Sequence, residues 1–223
     1  MKTLVIGSGA MAPSLALCLT LAGHHTILLA RRSEALTQAE SAVDIAYREL
    51  EEAGLLPAMS PGWRDRLAFS TDLAGAAAGI DFAFEAIAED ADIKQPIFAA
   101  IEQAAPPQAI LTSTTSGMAV DIIAEKCTDK GRVAVAHFAN PPHLMPAVEI
   151  VPGTDTDEAV MDRLCDFIRG LGKEPIRLKR DLPGHLFNRL KFALMREAFA
   201  LVRTGAASAE EIDKVVKNGY ALR

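Results

Sequence analysis

Short apolar runs separated by longer stretches of helical period recur along the whole chain. The runs at 3–6, 26–29, 67–69, 80–84, 109–111, 133–136, 147–151 and 175–178 predict strands, since they are short and bounded by turn residues. Between them the pattern predicts helices: one through Leu15, Leu17, Leu19 and Leu21 that stops at Gly23, a long one over 33–53 with Ser33 as N-cap, and others near 93–103, 119–126 and 156–171. Residues 54–63, with Pro57, Pro61 and Gly62, read as a loop. After Leu182, Pro183 and Gly184 the pattern changes. Phe187, Leu190, Leu194, Ala198 and Leu201 mark one apolar face of a helix ending at Gly205, and Ser208 with Glu211 resembles a capping box for a short last helix. Strands alternating with helices predict an α/β fold with a doubly wound, mostly parallel sheet over 1–182, followed by a short all-helical segment over 183–223.

The first turn of this alternation carries a glycine pattern, Gly7-Ser8-Gly9-Ala10-Met11-Ala12, between a strand and a helix that leads into a second strand. In a Rossmann-type βαβ unit the first glycine permits the tight bend and the second lets a pyrophosphate approach the backbone. The third position needs a small residue so that helix packs on strand. The helix N-terminus then offers free N–H groups to the phosphates. Gly7, Gly9, Ala10, Met11 and Ala12 are therefore the expected dinucleotide-binding turn. NAD-selective folds of this kind place an acid at the end of the second strand, about 20 residues on. Here Ala30 stands there, followed by Arg31 and Arg32. Loss of the acid removes repulsion toward a 2′-phosphate and an arginine fork can bind one, so the cofactor expected is NAD(P), with NADP favoured.

A second stretch, His137 to Val151 (HFANPPHLMPAVEIV), carries the candidate chemistry. His137 ends one apolar run, Asn140-Pro141-Pro142 break regular structure, and Glu149 is a lone acid inside the next apolar run. Burying that acid is costly unless something pairs with it, and His137 is the candidate partner. A histidine held by a glutamate is a construction for general acid–base work near neutral pH. The hydroxyl-rich loop Thr112 to Gly117 follows a strand at the end where doubly wound sheets bind ligands, although Ser116 equally suits a helix cap. His24, His25, His143 and His185 read as structural or exposed, and no spacing among them makes a metal set.

Composition narrows the setting. With 223 residues, half of them hydrophobic, the chain can bury a sizeable core. A net charge of −6 disfavours nonspecific contact with nucleic acid or anionic membrane. Three widely spaced cysteines argue for a reducing compartment and against a disulfide framework. No signal-peptide pattern and no run of about 20 apolar residues is seen, so a cytoplasmic protein is expected.

Taken together, GSGAMA at 7–12, FEAIAED at 84–90, STTSGM at 113–118, the His137–Val151 stretch and LPGHLFNRL at 182–190 resemble the 3-hydroxyacyl-CoA dehydrogenase family, including its gulonate (lambda-crystallin) and carnitine dehydrogenase relatives. The resemblance implies hydride transfer between a 3-hydroxyacyl-CoA and a nicotinamide cofactor, with His137 as acid/base and Glu149 orienting it. It implies that Ser116 and Asn188 contact the reacting oxygen or position substrate, while Asn188 also suits a capping or packing role. It places Glu85 near the nicotinamide and Lys94 on the helix that follows. Three departures accompany it: Ala30 in place of the strand-end acid, Thr114 where an asparagine is common, and an end at Arg223, where the family's helical domain is half built. That domain usually supplies a dimer interface, so a homodimer is expected. Dehydrogenation of a small free hydroxy acid, or cofactor binding without turnover, are the rival expectations.

Overall fold

The structure, a computed structural model, describes residues 1–58 and 61–220. The chain divides into two compact units, Met1–Pro183 and Gly184–Arg223.

The first unit is built on an eight-stranded sheet: β1 (Lys2–Ile6), β2 (His25–Leu29), β3 (Leu67–Ser70), β4 (Phe82–Glu85), β5 (Ile110–Ser113), β6 (Val133–Phe138), β7 (Ala147–Pro152) and β8 (Glu174–Arg177). Their order across the sheet is β3-β2-β1-β4-β5-β6-β7-β8. All neighbours are parallel except β6 and β7, which are antiparallel. The expected doubly wound, mostly parallel Rossmann-like sheet is therefore present.

Six helices connect the strands: α1 (Met11–Leu21), α2 (Ser33–Glu52), α3 (Leu73–Ala77), α4 (Ala91–Ala104), α5 (Val120–Ile123) and α6 (Glu158–Gly170). Because successive strand residues point to opposite faces, the core has two layers. Leu4, Ile6, Leu111, Val133, Val135 and Val151 pack with residues of α3, α4 and α5, such as Phe98 and Ile123. Val5, Leu28, Phe84, Ala136, Phe138 and Ile150 pack with residues of α1 and α6, such as Leu15 and Leu164. Leu17 and Leu21 of α1 also pack against Val43 and Leu50 of α2. Residues 12–21 of α1 are consequently all buried, which explains why this helix shows no polar face in the sequence.

Several expected boundaries change. Ser33 is the first residue of α2 rather than its cap; Arg32 holds the cap position in extended conformation, without a side-chain hydrogen bond. The helix expected over 119–126 is only α5, four residues long. The short α3 was not anticipated, because Leu73–Ala77 is too short to display a period.

In the second unit, α7 (His185–Arg203) is followed by α8 (Ala209–Val215). Ser208 Oγ accepts the Glu211 N–H at 3.2 Å, which forms one arm of the expected capping box. The other arm is not made as expected, since the Glu211 carboxylate accepts from Lys214 Nζ at 2.9 Å. No helix among the described residues is long and apolar enough to cross a membrane.

Candidate active site

The parallel strands β1, β2, β4, β5 and β6 all end at one edge of the sheet, where every loop in question emerges. After β1, Gly7 adopts φ +131°, and a Cβ there would lie 2.4 Å from the Ala86 carbonyl oxygen. Only glycine tolerates that pairing of conformation and close approach. A Cβ on Gly9, in contrast, would meet nothing within 4 Å, so the backbone there faces open space. The cap residue of α1, Ala10, makes no side-chain hydrogen bond, and the first turn holds no acid. Its N–H groups are thus left to an external acceptor. Ala12 is buried against the sheet, as the small third position requires. Arg31 and Arg32 are exposed directly after β2, beyond the buried Ala30. This end of the sheet has the open backbone and free helix N-terminus that a dinucleotide-binding turn requires.

His137 and Glu149 are brought together. They are direct partners in the antiparallel register of β6 and β7, and His137 Nδ1 lies 2.7 Å from Glu149 Oε2. Both are buried, with side-chain exposures of 10% and 4%. The buried acid in an apolar strand is satisfied by its cross-strand neighbour, which fixes the imidazole orientation.

Glu85 and Lys94 are also brought together, but with each other. Glu85, at the end of β4, is fully buried, and its Oε1 accepts Lys94 Nζ at 2.6 Å and the Ile87 N–H at 2.6 Å. Its Oε2 accepts Ser113 Oγ–H at 2.5 Å. Lys94 Nζ also lies 3.4 Å from Glu89 Oε2. Glu89 in turn accepts Thr115 Oγ–H and, at 3.3 Å, the Ser116 N–H. In the sequence Glu89 stands only as one position of the FEAIAED stretch, with no role of its own. The structure makes it the link between the loop after β4 and the hydroxyl loop after β5. Nothing local in the sequence marks that link, because its partners lie more than twenty positions away.

Ser116 is exposed on the loop after β5, the strand beside β6. Thr114, the departure noted above, donates its backbone N–H to the Glu85 carbonyl at 2.8 Å. Asn188 belongs to the second unit, in the first turn of α7. The cysteines are buried, and desolvation pushes the thiols of Cys18 and Cys127 up to about 11, so neither is a nucleophile near neutral pH. Among the described residues no group of His, Cys, Asp and Glu could hold a metal ion.

Residues 2–182 match the family described as "3-hydroxyacyl-CoA dehydrogenase, NAD binding domain", and residues 184–223 match "3-hydroxyacyl-CoA dehydrogenase, C-terminal domain". The chain belongs to the 3-hydroxyacyl-CoA dehydrogenase family. It is 31% identical over 222 residues to an L-carnitine dehydrogenase of Bacillus cereus, covering 100% of this chain and 67% of that protein. Its fold superposes on 3-hydroxybutyryl-CoA dehydrogenase from Escherichia coli K12 with a TM-score of 0.89 and 32% identity, over 98% of this chain and 46% of that one. A TM-score of 0.89 with 29% identity is also found to a 5-formyl-3-hydroxy-2-methylpyridine 4-carboxylic acid 5-dehydrogenase, described as an NAD+-dependent dismutase; 99% of this chain and 71% of that one are covered. The chain thus spans between about half and about two-thirds of the length of such relatives.

Proposed function

We propose that this protein interconverts a 3-hydroxyacyl-CoA and its 3-keto form, with His137 as general acid/base and a nicotinamide dinucleotide as redox partner. The observation that carries this reading is the buried His137–Glu149 pair, set at the same edge of the sheet as the Gly7–Ala12 turn. A nicotinamide dinucleotide held at the Gly7–Ala12 turn would supply the acceptor for the hydride of the substrate carbon. As the hydride leaves, the substrate hydroxyl gives its proton to His137. With Nδ1 engaged by Glu149, that transfer runs through Nε2, and the carboxylate stabilises the imidazolium formed. In the reducing direction His137 returns the proton to the nascent alkoxide. Ser116 serves to hold the reacting oxygen, and Glu85 with Lys94 shapes the cofactor side of the site by bracing the loops after β4 and β5. A second reading, a small free hydroxy acid such as carnitine as substrate, is favoured by the similarity of the whole of this chain to 67% of a carnitine dehydrogenase.

We further propose NADP in preference to NAD, supported by Ala30 at the strand end and by the exposed Arg31 and Arg32 beside it. Acetoacetyl-CoA reduction and L-carnitine oxidation, followed by absorbance of the reduced cofactor, test both points. Acetoacetyl-CoA should be reduced with NADPH used better than NADH, and replacing Arg31 and Arg32 by alanine should lower that preference about tenfold. A strong preference for NADH overturns the arginine argument; binding of both cofactors without turnover of either substrate favours a non-catalytic role.

A homodimer is also proposed. In α7, Leu190, Phe192 and Phe199 are exposed at 70%, 51% and 65%, more apolar surface than one helix usually leaves to water. Sedimentation equilibrium should give about twice the 23.8 kDa of one chain. A mass of one chain overturns this.

A further inference from the structure

The loop 139–146 joins the two strands that carry His137 and Glu149. The Ala139 N–H donates to the Ala147 carbonyl at 3.3 Å, and the Leu144 and Met145 N–H groups donate to the Pro141 carbonyl at 3.1 and 3.0 Å. From outside, Lys173 Nζ donates to the Pro142 carbonyl at 2.6 Å and the Met145 carbonyl at 2.9 Å. The loop's own side chain His143 then reaches the cofactor module. Its backbone N–H donates to Ser14 Oγ at 3.0 Å, and its Nδ1 lies 2.7 Å from the same oxygen. Its Nε2 lies 2.7 Å from Glu49 Oε2.

Ser14 follows Ala12 by two residues in α1, and Glu49 lies near the end of α2. With the ring proton on Nε2, Nε2–H donates to Glu49, Ser14 O–H donates to Nδ1, and Ser14 Oγ accepts the His143 N–H. Both ring nitrogens and the N–H of His143, and the hydroxyl of Ser14, are then used. The order serine, histidine, acid resembles a nucleophilic relay, but Ser14 is 5% exposed inside a helix and its oxygen already accepts an N–H. Its hydroxyl has no path to a substrate carbon. The His143 side chain is itself only 4% exposed, so the contact is a built one.

We infer that His143 is a positioning residue that fastens the loop between His137 and Glu149 to α1 and α2, so that filling the dinucleotide turn and setting the proton-transfer loop are one event. This rests on His137 being the acid/base. The coupling is mechanical: α1 carries the Gly7–Ala12 turn at its start and the Ser14 contact one turn further along. Order imposed on that turn by a pyrophosphate is passed to the loop through two short hydrogen bonds to one oxygen.

Hydrogen exchange of the full chain, first without cofactor, tests the fastening. His143→Ala should speed exchange of the amides in 139–146 about tenfold, and His143→Gln, whose amide keeps one donor, should restore part of the protection. With NADPH added, the unchanged protein should gain protection both in 7–14 and in 139–146, whereas His143→Ala should gain it only in 7–14. In steady-state assays His143→Ala should lower kcat about tenfold, and the Ser14→Ala, His143→Ala double variant should be no worse than the poorer single one. Unchanged exchange of 139–146 in His143→Ala, or equal protection of that loop by NADPH in both proteins, overturns the inference. If neither NADPH nor NADH protects anything in the unchanged protein, the dinucleotide reading fails, while the cofactor-free comparison still judges the fastening. Should His143→Ala not fold, Ser14→Ala removes only one hydroxyl and must loosen the same loop.

Discussion

Turnover of acetoacetyl-CoA should collapse when His137 becomes glutamine, while the dinucleotide still binds. Glutamine keeps an amide donor for the Glu149 carboxylate, so the buried acid is not left without a partner on that side. What is lost is the group able to take and return a proton near neutral pH. General acid–base catalysis contributes about 10²–10⁴ in rate, and kcat should fall by that factor. The dissociation constant of the reduced cofactor, read from its fluorescence without substrate, should stay within about twofold, because a uniform binding group has not been removed. A variant retaining more than about a tenth of the original kcat would falsify His137 as the base. Loss of cofactor binding together with kcat would instead point to a structural role for the pair.

The largest loss of stability is expected at Lys94→Met. The Glu85 carboxylate is fully buried, and Lys94 supplies its only cationic partner among the described residues; Ser113 and the Ile87 N–H are neutral donors. Breaking a buried pair by removing one member costs about 3–5 kcal/mol, mostly the desolvation of the charge left behind. For a unit of this size the melting temperature should fall on the order of 10 °C. Glu85→Gln combined with Lys94→Met removes both charges and should recover much of the loss, since the residual amide can still accept from Ser113. A single variant within about 1 kcal/mol of the original protein would show that water or another group compensates the carboxylate. The result also separates two views of Glu85 and Lys94. If they brace the loops after β4 and β5, stability falls first and cofactor affinity follows in proportion to the fraction folded.

Where one contact is set by local rules, the sequence was sufficient. The glycine turn between β1 and α1 could be read because each small residue answers a separate steric demand over six positions. The His137–Glu149 pair could be read because a lone acid in an apolar strand has few ways to be satisfied, and a turn returns the chain beside the histidine. The long-range polar contacts could not be read in this way. The resemblance placed Lys94 on the helix after β4 without naming its partner; its ammonium meets Glu85, nine positions earlier, where the helix α4 brings it back onto β4. His143 was read as structural or exposed, and only the packing of α1 beside α2 reveals Ser14 and Glu49, 129 and 94 positions away, as its partners. Ser33 suited a cap by type, but the helix begins one residue too early for it to serve.

Because β7 runs antiparallel to β6, the His137–Glu149 pairing is held by sheet register, with Ala134 opposite Pro152 at one end and Phe138 opposite Val148 at the other. The ladder between the two strands, and not the connecting loop alone, holds which residue faces which. Insertions or deletions within 140–146 would therefore change what borders the site without sliding the imidazole past its carboxylate. On the proposed function, the rim can be recut around a retained His143 for acyl groups of different length and polarity while the His137–Glu149 pairing is kept.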